Sequence, residues 1–174
     1  MPDLSRVAGI VLAGGKSSRM GRNKALLDFR GRPLVQHMMN ILRDLGLQDI
    51  YISGSIANYP CIDDNRPFAG PAQGICNVWQ KKPDYEGYLF VPVDMPLLTA
   101  DILRLLLAHK EGSYFAGRPL PVFFTCPVIL GNAASVQGLI AENSLYVVDL
   151  PPLYDPMMAN LNTPQEWQEV LYAS

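Results

Sequence analysis

Charge is thin in this chain: Lys, Arg, Asp and Glu make up 17% of its 174 residues and nearly cancel, leaving a net −2. That balance argues against a general nucleic-acid or anionic-membrane surface. Histidine is scarcer, with only His37 and His109. Neither a metal-spaced His pair nor a Ser/His/Asp set is present, which sets aside zinc and nucleophilic-triad chemistry. The three cysteines, Cys61, Cys76 and Cys126, are odd in number, far apart and form no C-x-x-C. They read as reduced thiols of a cytoplasmic protein, with Cys76 and Cys126 filling core. Long hydrophobic runs are missing too. The N-terminal run, Val7 to Ala13, is too short for a membrane span and lacks a signal-peptide layout.

What remains is apolar and regularly patterned. Hydrophobic residues reach 49%, enough for one domain, 1–174, with a large buried sheet. Val7 to Ala13 reads as a buried strand. Leu34, Met38, Ile41, Leu42 and Leu45 recur at helical spacing between Pro33 and a terminating Gly46. Asp49 to Ser53 is a second strand, 57–71 a Pro/Asn/Asp-rich loop, and Gln73 to Gln80 a helix. Tyr88 to Val93 is a third buried strand ending at Asp94-Met-Pro96. Thr99 caps a Leu-rich helix running to Ala108. Pro121 to Thr125 and Leu145 to Asp149 are weaker strands. Thr163-Pro-Gln-Glu166 is a capping box opening a C-terminal helix. The alternation predicts an α/β fold, a mainly parallel sheet with helices on both faces. Ligands of such folds sit at the carboxyl ends of the strands, where Gly14, Gly15 and Asp94 fall.

The positive charge gathers just after the first strand. Lys16, Arg19, Arg22 and Lys24 lie within nine residues, and Asp28 is the only carboxylate between Lys16 and Arg32. Bare backbone N–H groups at a Gly-Gly turn, ringed by cations, form a cradle for phosphate oxygens. The spacing fits neither G-x-x-x-x-G-K-[ST] nor G-x-G-x-x-G. It fits L-A-G-G-x-x-x-R-M-G-x-x-K, through Leu12, Ala13, Gly14, Gly15, Arg19, Met20, Gly21 and Lys24. A solvated basic loop after a glycine turn is the plain alternative. Asp94 by itself reads equally as a metal ligand or as a cap of the turn before Thr99. Asp63-Asp64-Asn65 is either an Asx-rich turn or the source of one carboxylate able to accept from both the N1–H and the 2-amino group of guanine.

The motif resembles the signature of the nucleoside-triphosphate transferases, the MobA-like branch above all. Gly70-Pro-Ala-Gln-Gly74, Asp94-Met-Pro96 and Asn160-Leu-Asn162-Thr-Pro resemble that branch's G-P-x-x-G, D-x-P and N-x-N-T-P blocks, in family order. The resemblance implies a three-layer α/β/α sandwich with a Rossmann-like sheet of the nucleotide-diphospho-sugar transferase type. It also implies transfer of GMP from GTP to the phosphate of molybdenum-carrying molybdopterin, with release of pyrophosphate. Lys24, Arg19 and Asp94 would be catalytic, and Asp94 would hold Mg²⁺. Leu12, Ala13, Gly14, Gly15, Lys24, Ser53, Asp64, Gly70 and Asp94 would bind the nucleotide, and Asn160 and Asn162 the acceptor. Hand-over of the product to a molybdoenzyme or its chaperone follows from the same likeness. Where relatives often carry Asp before the lysine, this chain has Asn23, and the segment 110–145 is short, with Lys110 and Arg118 its only basic residues. A cytidylyltransferase, a sugar-phosphate nucleotidyltransferase and a non-catalytic nucleotide-binding protein remain alternatives that the motif accommodates.

Overall fold

The computed structural model describes residues 1–14, 23–63 and 69–172. Gly15, Lys16, Arg19, Met20, Gly21, Arg22 and Asp64, all read from the sequence as motif or site positions, lie outside them.

Seven strands form one sheet: β1 Val7–Leu12, β2 Ile50–Ser53, β3 Cys61–Ile62, β4 Gly87–Pro92, β5 Ser113–Phe115, β6 Arg118–Thr125 and β7 Tyr146–Val148. Their order across the sheet is β3-β2-β1-β4-β6-β5-β7. β1 pairs in parallel with both β2 and β4, β2 with β3, and β5 with β7. Only β6 runs antiparallel, to β4 and to β5. Because the chain leaves β1 for β2 on one side and later returns as β4 on the other, the strand order reverses at β1. A crevice opens there at the strands' carboxyl ends.

Alternation along the strands divides the core into two layers. Val7 and Val11 of β1, with Leu89 and Val91 of β4, pack against α1 Leu34–Leu45, α3 Ala100–Leu107 and Trp167 of α5 Pro164–Tyr172. Ala8 and Ile10, with Tyr88 and Phe90, pack against α2 Pro71–Lys81 and α4 Val136–Glu142. This is the three-layer sandwich expected. Helix α1 buries Leu34, Val35, Met38, Met39, Ile41, Leu42 and Leu45, each contributing about 1.5–3 kcal/mol relative to exposure. It stops at Gly46, whose φ of 106° is left-handed and whose N–H bonds the Arg43 and Leu42 carbonyls. Among the described residues no helix is long and apolar enough to cross a membrane.

The structure departs from the sequence reading in several places. The segment 57–71 is not all loop: Cys61 and Ile62 add a short strand beside β2. Strand β5 and helix α4 were not anticipated. The first has three residues, and the second carries Gly138 inside seven, so neither offers a readable period. Cys126 is exposed and not core; its thiol donates to the Tyr85 carbonyl at 3.0 Å. Cys76 is half-buried and does pack against the core layer of α2 and α4.

Candidate functional site

Three strand ends deliver the site. Leu12 ends β1, Ser53 ends β2, and Asp94 follows β4 by two residues. The ends are tied together by backbone bonds, Ala13 N–H to Ser53 O at 3.0 Å and Val93 N–H to Leu12 O at 3.1 Å. A cleft of about 420 Å³ opens over them. Its walls include Leu12, Gly14, Ser53, Gly70, Asp94 and Asn160, all read from the sequence as site positions. Ala13 does not line it; its side chain packs on the α1 layer of the core. Gly70 stands at the start of α2 with φ 92°, a conformation that favours glycine. It sets the N-terminus of α2 against the cleft.

Lys24 arrives from a different direction. It opens a 3-10 turn, Lys24–Leu26, capped by the Asn23 side chain, which accepts from Ala25 N–H. Ala25 is buried and anchors the turn. From there the ammonium donates to Asn162 Oδ1 at 3.0 Å and lies 3.4 Å from Asp94 Oδ2. Asn160 Nδ2 donates to the other Asp94 oxygen at 3.1 Å. One cation, one carboxylate and two amides, drawn from three separate stretches of chain, thus meet in one cluster.

The N-x-N pattern has a simple cause. Between Asn160 and Asn162, Leu161 is buried at 2% exposure, and its N–H donates to the Asp94 carbonyl at 2.8 Å. Extended backbone sends alternate side chains to opposite sides. Leu161 is buried while the amides on either side of it meet Asp94 and Lys24. The segment is then clamped from behind. Glu166 Oε2 accepts from Asn162 N–H at 2.7 Å and from Thr163 N–H at 3.0 Å, while Thr163 Oγ1 accepts from Glu166 N–H at 3.2 Å. Those backbone bonds, Asn162's first, hold the Glu166 carboxyl below its ordinary range. The capping box read from the sequence is therefore also the brace of Asn162.

Sequence reasoning did not single out Asn77. It is 1% exposed. Its Nδ2 donates to the Asp63 carbonyl at 2.8 Å, and Lys81 Nζ donates to the same oxygen at 2.6 Å. A polar residue amid the apolar positions of a helix was the signal available. His37 is structural, as read: its ring lies 4.7 Å from Phe29, and Nε2–H donates to the Pro96 carbonyl at 2.7 Å, just beyond Asp94. His109 stacks on Tyr146 with ring centroids 4.1 Å apart.

The cluster offers a divalent cation one protein carboxylate. Among the described residues no group of three or more His, Cys, Asp or Glu side chains gathers. Asp94, with its side chain 21% exposed at the cleft, is a single carboxylate. That fits Mg²⁺, which takes one or two protein carboxylates and completes its shell with phosphate oxygens and water.

Comparison with known proteins bears on the family and the fold. The model of the MobA-like NTP transferase domain matches residues 9–139. The molybdenum cofactor guanylyltransferase of Xanthomonas euvesicatoria pv. vesicatoria (strain 85-10) is 37% identical over 177 residues, covering 94% of each chain. Molybdopterin-guanine dinucleotide biosynthesis protein A from Archaeoglobus fulgidus superposes with a TM-score of 0.69 at 17% identity, over 95% of this chain and 97% of that one. Rv0371c of Mycobacterium tuberculosis H37Rv, solved in complex with manganese, superposes at 0.62 and 17%, over 98% and 100%. At such identities the last two speak to the fold alone. The family model runs from within β1 into α4, and the relative extends the match almost end to end: this chain belongs to the MobA-like NTP transferase family.

Proposed function

We propose that the chain is a molybdenum cofactor guanylyltransferase, transferring GMP from GTP to the phosphate of molybdenum-carrying molybdopterin. The observation that carries this reading is the cluster of Lys24, Asp94, Asn160 and Asn162 at the reversal point of the sheet. The name of the 37%-identical relative supports it.

The reaction needs little covalent help from the protein. An oxygen of the acceptor phosphate attacks the α-phosphorus of GTP in line. A new P–O bond forms, the α–β bridge breaks, and pyrophosphate leaves with the electron pair. Negative charge moves onto the equatorial and leaving oxygens, and fixed cations and donors stabilise it. Lys24 is held beside Asp94 by Asn162, and its charge opposes that of the phosphates. Arg19 is its partner from the basic loop. Backbone N–H groups after β1, at Gly14 and Gly15, and the start of α2 at Gly70 cradle the triphosphate. Asp94 would hold Mg²⁺ together with phosphate oxygens and water; the ion would neutralise charge on the triphosphate. Asn160 keeps the Asp94 carboxylate in position without adding charge, and both amides face the acceptor. Asp64 reads the guanine edge, and Ser53 lies under the nucleotide. The same reading places the enzyme in the cytoplasm and passes its product to a molybdoenzyme or its chaperone.

The test is a thermal melt with GTP, CTP, ATP and UTP, each with Mg²⁺, followed by pyrophosphate release with molybdopterin. Binding to the native state raises Tm by mass action. The expected result is a shift with GTP alone, lost in Asp64→Ala, and acceptor-dependent pyrophosphate release. A shift with CTP instead transfers the reading to a cytidylyltransferase. A GTP shift without turnover on any acceptor leaves a nucleotide-binding protein.

A further inference from the structure

A second cavity, of about 390 Å³, adjoins the first. Tyr114, Gln137, Ile140 and Leu145 lie along its walls, so it sits between β5 and α4. The two cavities share one stretch of lining, Gly117-Arg118-Pro119 at the start of β6. Arg118 is the only basic residue among the described residues that line either cavity. Its backbone is fixed by a tight hairpin, with Phe115 of β5 directly opposite.

The guanidinium is engaged, but lightly. Its Nη2 donates to Asp155 Oδ1 at 2.5 Å. Asp155 lies on the 3-10 segment Pro152–Met158, which leads directly to Asn160. The two side chains are 36% and 64% exposed. A pair so open to water is screened and weakly held. It also occupies one face of a group that has five N–H donors in a fork matched to phosphate.

We propose that Arg118 receives the phosphate of the acceptor, and that Asp155 is the placeholder it leaves when the acceptor binds. This rests on the guanylyl-transfer reading and specifies its acceptor side. The ligand class is a phosphomonoester of a flat fused-ring heterocycle. Its phosphate sits at the shared wall, facing the cleft that holds Asp94 and Asn160. Its ring system extends into the second cavity, where Tyr114 offers a face and Gln137 an amide for polar ring edges. A phosphomonoester brings up to two negative charges where the Asp155 carboxylate brings one, and it accepts from two arms of the fork at once. Exchange of Asp155 for phosphate is therefore favourable, and the departing carboxylate returns to water.

The experiment is steady-state pyrophosphate release with molybdopterin and GTP varied in turn. Arg118→Ala should raise the KM for molybdopterin by about tenfold or more, while the KM for GTP stays within about twofold. Arg118→Lys should recover part of that loss, since charge is kept but the fork is not. Asp155→Asn should lower the molybdopterin KM in the native background and have no effect in Arg118→Ala, the coupling expected of a competing pair. Ala141→Trp, which fills the second cavity from α4, should raise the molybdopterin KM alone. An unchanged acceptor KM in Arg118→Ala, in an enzyme that otherwise turns over, overturns this assignment and leaves the parent reading intact. An equal rise in the KM for both substrates overturns it as well. Wild-type protein that binds GTP yet never turns over molybdopterin overturns both.

Discussion

Replacing Lys24 by Met separates what the residue does for the fold from what it does for the reaction. Methionine keeps the unbranched length and removes the charge. In the resting protein the ammonium lies 3.4 Å from Asp94 Oδ2 and 3.0 Å from Asn162 Oδ1, with the lysine side chain 15% exposed and the aspartate 21%. At an effective dielectric of about 20, a charge pair at that separation attracts by roughly 5 kcal/mol before solvation is counted. Taking both groups largely out of water offsets most of this, and the net value of such a contact is about 1–2 kcal/mol. For a chain of this size that corresponds to a Tm lower by roughly 2–8 °C. The catalytic effect should be larger. Loss of one donor aimed at developing phosphoryl charge costs about 10²–10³ in kcat, or roughly 3–4 kcal/mol. The assay pairs a calorimetric melt with pyrophosphate release on the same preparation. Turnover within about threefold of wild type would refute the catalytic role. A Tm drop well beyond ~10 °C would show that Lys24 mainly holds the C-terminal segment onto the sheet.

Two further outcomes follow from packing and burial. A Cβ added in Gly87→Ala would meet Phe123 Cε2 at 2.8 Å and Cζ at 3.0 Å, with Phe124 O at 3.2 Å behind them. Phe123 is fully buried, so the ring has no open space to enter. Urea unfolding should show a loss of about 1–3 kcal/mol; an unchanged midpoint would mean that β4 and β6 shift apart freely. Burial holds the His37 imidazole below its ordinary 6.5, outweighing the opposing effect of its bond to Pro96. The native state therefore resists a proton that the unfolded chain accepts. Stability should fall as pH drops below 6.5 and level off below the depressed native value. His37→Gln keeps a donor for Pro96 O and should flatten the part of the urea-midpoint profile that His37 contributes; an unaltered profile would place the titration elsewhere.

The legible parts of the fold were those with a period or a cap. Helix α1, with seven buried apolar residues between Pro33 and Gly46, could be read directly. So could β4, whose six residues are all buried, and the Thr163–Glu166 box. What escaped is short. Two-residue β3 and three-residue β5 complete no period, and their places are decided by pairing with β2 and β6. The exposure of Cys126 escaped for a related reason, since it follows directly on β6, where the inward alternation of Phe123 and Phe124 has ended. The site was legible as a set of motifs but not as an arrangement. Lys24 meets partners 70 and 138 positions away, and Asn160 meets Asp94 across 66. No local pattern encodes such contacts; they depend on where the sheet reverses.

The same arrangement accounts for a departure from the family pattern. Where the resemblance leads one to expect Asp before the lysine, Asn23 here accepts from Ala25 N–H at 3.1 Å through its side-chain oxygen. That capping task needs an oxygen and not a charge, and Asn and Asp perform it about equally well. Geometry at Lys24 is therefore preserved. Electrostatics are not, because an aspartate would add a negative charge one residue from the ammonium. With Asn23, Lys24 keeps the Asp94 carboxylate beside it and gains no second carboxylate from its own turn. Asn23→Asp should accordingly leave the melt almost unchanged while weakening the pull of Lys24 on phosphate, seen as a higher KM for GTP. A large fall in Tm would show instead that the cap depends on the amide hydrogens, which this contact does not use.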